Sequence, residues 1–339
     1  MRSIDIHTHL LPPALPRWSE QFGYGGFMRL APLSACRARM VRDDGTFFRE
    51  IEDNCWDPLA RLRDCDQAGV GVQVLSAVPV LFSYWAKGEH AHEVARFLND
   101  HLASVCSAHP RRFAGLGTLP MQAPEMAVRE LTRCVRELGL AGAQIGTHVN
   151  DWNLSDPALF PFFACAEELG AALFVHPWDM MGQAKMQKYW LPWLVGMPAE
   201  VSLAICSVIF GGVLERLPRM RIAFAHGGGA FPGTLGRIEH GYLARPDLVA
   251  VDNPGHPPSH YLSRIYVDSL VHDARALNFV LETFGPERVA LGSDYPFPLG
   301  EERPGALIES MRLPEQVRDR LRAGTALEWL GRAASSYDL

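Results

Sequence analysis

The feature that most constrains this chain is a repeating unit: a short apolar run, a turn, and a longer stretch with helical spacing. Most of the runs are almost continuously apolar, which is typical of parallel strands covered on both faces. The eight runs are Ser3–His7, Val72–Ala77, Phe113–Thr118, Ala143–Thr147, Ala172–His176, Arg221–Ala225, Arg264–Asp268 and Val289–Ser293. This alternation predicts an α/β fold, a (β/α)8 TIM-like barrel, as one domain over residues 1–339. An open, doubly wound sheet is the alternative.

Helical patterns separate these runs, with apolar residues spaced three and four positions apart. Glycines follow several of them, as Gly139 and Gly170 do, and glycine there is a common stop signal. The predicted helices are Pro58–Ala68, His92–His109, Pro124–Leu138, Asp156–Leu169, Ala199–Leu217, Ala230–Leu243, Ala274–Phe284 and Glu315–Trp329. The last of these is the C-terminal helix, which we place at about 315–331.

Three segments fall outside the repeat. The first, about 11–56, contains Asp-Asp-Gly at 43–45 between two runs typical of strands, 39–42 and 46–51. Asp-Gly at such a position predicts a small β-hairpin inserted after strand one. The segment 180–198 is rich in Trp, Met and Pro, and 245–260 is rich in Pro. We expect both to be long connections.

Composition excludes several classes of function. A net charge of -6 and the lack of a basic stripe argue against nucleic-acid binding. The seven cysteines are scattered and include no CxxC pair, which is typical of reduced thiols. The most apolar stretch, Trp193–Leu214, is interrupted by Pro198 and Glu200, so we interpret it as a buried helix rather than a membrane span. With no recognisable signal peptide, we expect a cytoplasmic protein without membrane association.

Metal-binding residue types occur where the predicted strands end. His7 and His9 lie at the end of strand one, His176 at the end of strand five, His226 at the end of strand six and Asp294 at the end of strand eight. In a barrel these ends meet at the mouth that carries the active site. Alternate strand residues point to the same side, so His7 and His9 can face one point.

Three imidazoles and a carboxylate suit one zinc ion, with a position left for water or substrate. Any one of these histidines alone is better interpreted as a satisfied polar residue or a solvent-exposed one. Their joint occurrence at strand ends favours a metal site at His7, His9, His176 and Asp294.

Four motifs resemble the amidohydrolase superfamily. They are DIHTH at 5–9, FVHPW at 174–178, AHGGG at 225–229 and GSDYP at 292–296. Longer runs, including 189–200 and 293–300, are similar to the decarboxylases of that superfamily that act on 2-amino-3-carboxymuconate 6-semialdehyde. The resemblance extends from strand one to the last helix.

The resemblance implies roles for individual residues. His7, His9, His176 and Asp294 would hold one divalent metal ion, preferably zinc, without an organic cofactor. His226 would be the acid/base beside the metal, so that His226 and Asp294 form the catalytic pair.

The resemblance also implies a substrate site. Arg49 on the hairpin would bind a substrate carboxylate, and Arg237 would reach the site of a neighbouring subunit in a homodimer. Trp193 and Phe297 would line the pocket. By residue type alone, the arginines read equally well as surface cations and the aromatic residues as core.

Strand four offers no bridging ligand for a second metal. Relatives with two metals use a carboxylated lysine or a glutamate at its end, whereas residues 142–148 read GAQIGTH. A single metal is therefore expected, with His148 outside its ligand set but able to contact substrate.

The implied reaction is the non-oxidative decarboxylation of that dicarboxylate semialdehyde to 2-aminomuconate 6-semialdehyde, in kynurenine or related aromatic catabolism. A mononuclear lactone or amide hydrolase of the same superfamily is an alternative. A third hypothesis is a non-catalytic barrel in which the metal is structural.

Overall fold

The computed structural model describes residues 3–339, and within them thirteen strands and thirteen α-helices form. The strands are β1 (Ser3–Leu10), β2 (Met28–Ser34), β3 (Arg37–Arg42), β4 (Phe47–Glu52), β5 (Val70–Ala77), β6 (Phe113–Gly117), β7 (Gly142–Gly146), β8 (His148–Val149), β9 (Trp152–Asn153), β10 (Ala172–His176), β11 (Arg221–Phe224), β12 (Ile265–Asp268) and β13 (Val289–Ala290). The helices are α1 (Trp18–Phe22), α2 (Pro58–Ala68), α3 (Gly88–Ala108), α4 (Pro124–Arg136), α5 (Phe160–Leu169), α6 (Met197–Phe210), α7 (Val213–Arg216), α8 (Phe231–Ala244), α9 (Pro246–Val249), α10 (Ala274–Phe284), α11 (Ala306–Ser310), α12 (Glu315–Asp319) and α13 (Thr325–Leu330).

Eight parallel strands form the barrel, in the order β1-β5-β6-β7-β10-β11-β12-β13. The segment after β13 closes it against β1: the Asp294 N–H donates to the His7 carbonyl over 2.8 Å, and the His9 N–H donates to the Tyr295 carbonyl over 2.8 Å. The predicted (β/α)8 barrel is confirmed, and the open sheet is wrong. All eight predicted runs correspond to barrel strands, with ends that differ by a few residues.

The insertion after β1 is larger than a hairpin. The predicted hairpin exists as β3 and β4, where the Arg42 N–H donates to the Thr46 carbonyl over 2.8 Å. Between them Gly45 has a φ of 89°, a conformation that glycine adopts without strain. The unpredicted strand β2 pairs antiparallel with β3 and completes a three-stranded sheet. This sheet packs over one side of the barrel mouth through a cluster that includes Met40, Ile51 and Val78.

Two predicted helices are interrupted. The expected helix 199–217 is α6 followed by α7, because Gly212 between them has a φ of 67° and ends the regular helix. The expected helix 315–329 is α12, a π-helical turn at 320–324, and α13. The other helices begin and end within a few residues of prediction, and α2 and α10 match their predicted bounds.

One helical stretch among the described residues, Pro192–Phe210, would be long and apolar enough to cross a membrane, judged by length and composition. A core helix passes the same test, and 44% of the 18-residue window is buried. Val201, Ala204 and Ile205 of α6 lie in the main core beneath the barrel helices. Leu194 and Val195 just before α6 are about half exposed.

The C-terminal helix α13 closes the barrel interior opposite the mouth. Trp329 is fully buried and lies in one cluster with Ile4, Val72 and Phe174, whose side chains point into the barrel. The Trp329 indole N–H donates to the Leu173 carbonyl over 3.3 Å. An aromatic side chain that fills this end supports the lower layer of the barrel from inside.

Replacing Trp329 with alanine would leave a large internal cavity, so we expect the free energy of unfolding to fall by about 3–5 kcal/mol. Urea unfolding followed by circular dichroism measures the change. The matched control is Trp190→Ala, because that side chain is 43% exposed. We expect the control to lose less than about 1 kcal/mol. Equal losses in the two variants would contradict a closing role for Trp329.

Candidate active site

The site begins with an irregularity in β1. Asp5 pairs with Gln73 of β5 and Thr8 pairs with Leu75, so three steps along β1 correspond to two along β5. This bulge inserts one extra residue and changes which side chains face the barrel. Ile4, before the shift, and Ile6, within it, point into the barrel interior. His7, the next residue, also points inward, which strict alternation from Ile6 would not allow.

Strand alternation explains the inward direction of two other residues. In β10, Ala172 and Phe174 belong to the interior cluster, and His176 is next in phase. In β12, Tyr266 belongs to that cluster, and Asp268 follows in phase. Side chains two residues apart share one face of a strand. Asp294 lies four residues beyond the end of β13 and has a φ of 57°, so the turn after the strand, and not strand alternation, directs its side chain.

Four side chains converge at the mouth. The donor atoms of His7, His9, His176 and Asp294 all lie within 4.8 Å of one another. Asp294 Oδ1 is 3.4 Å from His7 Nε2 and 3.0 Å from His9 Nε2. Zinc–nitrogen bonds of about 2.0–2.1 Å in a tetrahedron would place neighbouring donors about 3.3 Å apart. The spacing therefore suits one small divalent ion.

The hydrogen bonding of the histidine nitrogens also indicates a metal site. Among the described residues, Nε2 of His7, His9 and His176 is buried without a hydrogen-bond partner. Each Nδ1 atom has a partner instead: Asp268 Oδ2 at 2.7 Å for His7, Ser76 Oγ at 3.3 Å for His9, and the Pro177 carbonyl at 2.9 Å for His176. A polar atom left unpartnered in a buried position costs free energy unless a ligand satisfies it. The donor set fits a metal ion.

Asp268 organises the site from outside the four donors. It is fully buried and accepts hydrogen bonds from His7 Nδ1, from the backbone N–H of His226 at 2.9 Å and from that of Gly227 at 2.8 Å. Burial alone would raise the pKa of Asp268, but the hydrogen bond and the charge of His7 outweigh it and lower that pKa. An ionised Asp268 keeps the His7 proton on Nδ1 and leaves Nε2 free for a metal.

Gly292 makes this contact between strands possible. A Cβ atom at Gly292 would lie 2.6 Å from Asp268 Cβ and 2.9 Å from His7 Cβ. Any larger residue would push these two side chains apart.

His226 reaches the mouth by a strained turn. Its φ is 57°, and the glycines that follow at 227–229 also have positive φ. Such a conformation costs about 1–3 kcal/mol for a residue with a side chain, and it is found mainly at functional sites. The ring centroid lies 5.2 Å from that of His7 and 5.4 Å from that of His176. Burial, followed by the charge of His7, lowers the pKa of His226 to about 4, so its ring is neutral at pH 7 and can accept a proton.

A cavity of about 440 Å³ opens above the donors, lined by His9, His176, Asp294, Arg49, Trp193 and Phe297, among others. The Arg49 guanidinium lies over the Phe297 ring, 4.3 Å from its centroid. Among the described residues it forms no ion pair with a carboxylate. Burial lowers the pKa of Arg49, but not enough to remove its charge. A partly buried cation without an anionic partner can bind a carboxylate.

A second cavity, of about 370 Å³, adjoins the first. Trp193 and Asp294 line both, and His226 lines the second. Arg237 lines neither cavity and is exposed on α8. Within one chain, therefore, Arg237 does not reach the site.

Sequence reasoning missed two residues of this region. Asp268 ends a predicted strand in the same way as His176, and that position was its only signal. Arg42 lines the larger cavity, and nothing in its sequence context distinguishes it from other surface arginines.

Asp5 and His148 make contacts with the backbone. Asp5 accepts a hydrogen bond from the Ser293 N–H over 3.1 Å, and a ring nitrogen of His148 lies 2.8 Å from the Trp178 carbonyl.

Known proteins resemble this chain along almost its whole length. The family model described as amidohydrolase matches residues 4–332. The chain belongs to the amidohydrolase family. It is 55% identical over 335 residues to 2-amino-3-carboxymuconate-6-semialdehyde decarboxylase of Dictyostelium discoideum, covering 98% of this chain and 93% of the relative. It is 40% identical to the enzyme of that name from Caenorhabditis elegans, covering 94% and 91%.

A solved structure of a similar protein has the same fold and contains bound manganese. The 5-carboxyvanillate decarboxylase of Novosphingobium aromaticivorans, crystallised with manganese and a nitrobenzoic acid, is 25% identical with a TM-score of 0.75. The match covers 82% of each chain.

Replacing Asp268 with asparagine keeps the shape of the side chain but removes the charge that orients His7. We expect the affinity for Zn²⁺ to fall about 10- to 100-fold. Competition with a chromogenic chelator measures it. Asp273→Asn is the matched control, because Asp273 caps α10 and pairs with the exposed Arg275, away from the four donors, and asparagine also caps helices. An unchanged affinity in Asp268→Asn would refute the orienting role.

Proposed function

We propose that this chain is a non-oxidative, metal-dependent carboxy-lyase that converts 2-amino-3-carboxymuconate 6-semialdehyde to 2-aminomuconate 6-semialdehyde. One observation carries the proposal: the mouth unites a four-donor metal cluster, a half-buried histidine and an arginine with no ion-pair partner among the described residues, in a chain 55% identical to a relative with that activity in its name. We further propose the kynurenine route of tryptophan catabolism, or a related aromatic route, as its setting.

The proposed ion is a single zinc. Three imidazoles and a carboxylate accept zinc or manganese, and donor spacings of 3.0 and 3.4 Å suit the tetrahedral preference of zinc. When bound, a divalent ion polarises an oxygen of the reactants and offsets developing negative charge.

The residues around the ion supply the other requirements of decarboxylation. Breaking the bond to the carboxylate releases CO₂ and leaves an electron pair on carbon, which must receive a proton. His226 can take up a proton and return it, because its Nδ1 is buried without a partner among the described residues. The charge of Arg49 holds a carboxylate of the substrate, while Trp193 and Phe297 limit the access of water.

The test is to incubate the protein with the carboxymuconate semialdehyde and measure CO₂ release. We expect His226→Ala to lower turnover at least about 100-fold, because a positioned acid/base contributes that much or more. Its metal content should equal that of the wild type, as the four donors are unchanged. The control His240→Ala changes an exposed histidine on α8 and should retain activity.

Two outcomes would refute the proposal. Hydrolysis of a lactone or amide without CO₂ release would make the chain a hydrolase of the same family. Full activity in His226→Ala would remove the acid/base from the mechanism.

We also propose a homodimer in which Arg237 completes the site of the partner. The exposed position of Arg237 supports this, because a substrate with two carboxylates has use for a second cation besides Arg49. Large apolar side chains near α6 are exposed, with Tyr189 at 81%, Leu194 at 50% and Val195 at 54%. Apolar exposure on this scale is typical of an interface between subunits.

Mixed dimers test whether Arg237 acts in the site of its own chain or in the site of the partner. Arg237→Ala and His226→Ala, coexpressed with different tags, form a heterodimer in which one site has both His226 and the arginine from its neighbour. We expect the purified heterodimer to show about half of the wild-type activity, whereas each parent is nearly inactive. A heterodimer no more active than its parents would show that Arg237 does not act across the interface.

A cytoplasmic location is the remaining proposal. All seven cysteines lie in the described residues and are free thiols. Free thiols are typical of reducing compartments.

A further inference from the structure

A second group of metal-ligating side chains lies at the end of the barrel opposite the mouth. Glu215, His256 and His260 offer donor atoms that all lie within 4.8 Å of one another. Glu215 belongs to α7, which precedes β11, and His260 belongs to the 3-10 helix Pro258–Arg264, which leads directly into β12. Because these segments enter the strands, they are remote from the strand ends that carry His7 and Asp294.

The carboxylate of this group is fixed by buried neighbours. The Tyr261 hydroxyl donates to Glu215 Oε2 over 2.8 Å, and the Asn253 side-chain amide donates to the Tyr261 oxygen over 2.8 Å. Tyr261 is fully buried and Asn253 is 4% exposed. Buried groups that orient a ligand in this way are a regular part of metal sites. Oε1 of Glu215 has no hydrogen-bond or ion-pair partner in the part of the chain that the structure describes, and it can bind an ion.

The segment that carries the two histidines is held in place before any ion binds. The Tyr242 hydroxyl donates to the Pro254 carbonyl over 2.8 Å, and the Ser259 N–H donates to Glu239, so the segment is tied to α8. Three prolines at 254, 257 and 258 restrict its backbone. A segment restricted in advance loses little conformational entropy on binding.

The two imidazoles already lie together. The rings of His256 and His260 stack with centroids 3.9 Å apart and planes 14° apart. Because a metal lies in the plane of the imidazole that binds it, each ring would turn about its side-chain torsions to point a nitrogen at a shared ion. Two imidazoles and a carboxylate are the donor set of many zinc sites, and they also suit nickel and copper.

We propose that Glu215, His256 and His260 form a second binding site for a divalent transition-metal ion such as Zn²⁺. The ion would join α7 to the segment before β12, with its fourth position open to water. This site is independent of the proposed function, because none of its residues lines the cavities at the mouth.

Equilibrium dialysis of the metal-loaded protein against ZnCl₂ tests the proposal. We expect about two zinc ions per wild-type chain and about one for His260→Ala, whose site would lose one of three protein donors. The control His240→Ala should bind about two, because its exposed histidine on α8 lies outside the cluster. Decarboxylase activity and the circular dichroism spectrum should be the same in all three proteins.

A second variant guards against a folding defect. Glu215→Gln keeps the hydrogen bond from Tyr261 but removes the anionic donor, and we expect it also to bind about one ion. The proposal is overturned if the wild type binds no more zinc than His260→Ala or Glu215→Gln, or if His240→Ala loses the same ion.

Discussion

The site depends on one buried hydrogen bond, between Asp268 and His7. A carboxylate with no access to water is stable only when N–H groups surround it, and Asp268 has four such donors: His7 Nδ1 and the backbone N–H groups of His226, Gly227 and Leu270. The same carboxylate therefore sets the tautomer of His7, a proposed metal ligand, and the backbone of the turn that carries His226, the proposed acid/base. One residue thus positions both of these proposed functions.

The topology of the barrel explains how a few residues from distant parts of the sequence form one site. Parallel strands end at a common rim, so side chains far apart in sequence approach closely: His7 Nε2 lies 3.4 Å from Asp294 Oδ1. The interior below them is filled by apolar residues from the strands and by Trp329. A filled interior holds the strands, and hence the donors, at fixed separations.

Most of the barrel could be predicted from the sequence because each strand is a separate apolar run between turn residues. Strand β2 could not, since Pro32 and the exposed side chains around it hide its pairing with β3. The break between α6 and α7 depends on a left-handed Gly212, which the apolar pattern does not reveal. The four proposed metal donors were predictable because each lies at or just beyond the end of a predicted apolar run. The role of Asp268 could not be predicted, because it follows from contacts with β1 and with the turn after β11 that only the closed barrel brings together.

For Arg49 and Phe297, residue type gave no signal, and their predicted roles rested on resemblance. The structure places both at the cavity. Arg237 is proposed to act in the site of a neighbouring subunit, and a single chain contains no contact that could reveal such a role.

The small sheet β2–β4 has a consequence for how such enzymes diversify. Arg49 lies on this sheet, whose strands pair with one another and not with the barrel, whereas the metal donors belong to the barrel or to the segment that closes it. With Arg49 as the proposed carboxylate site, part of the selectivity for acids and the proposed metal chemistry lie in separate stretches of polypeptide. Exchange of residues 28–52 would then change the cation offered to the substrate while the metal donors stay in place, so new substrates can arise by local change in an accessory module.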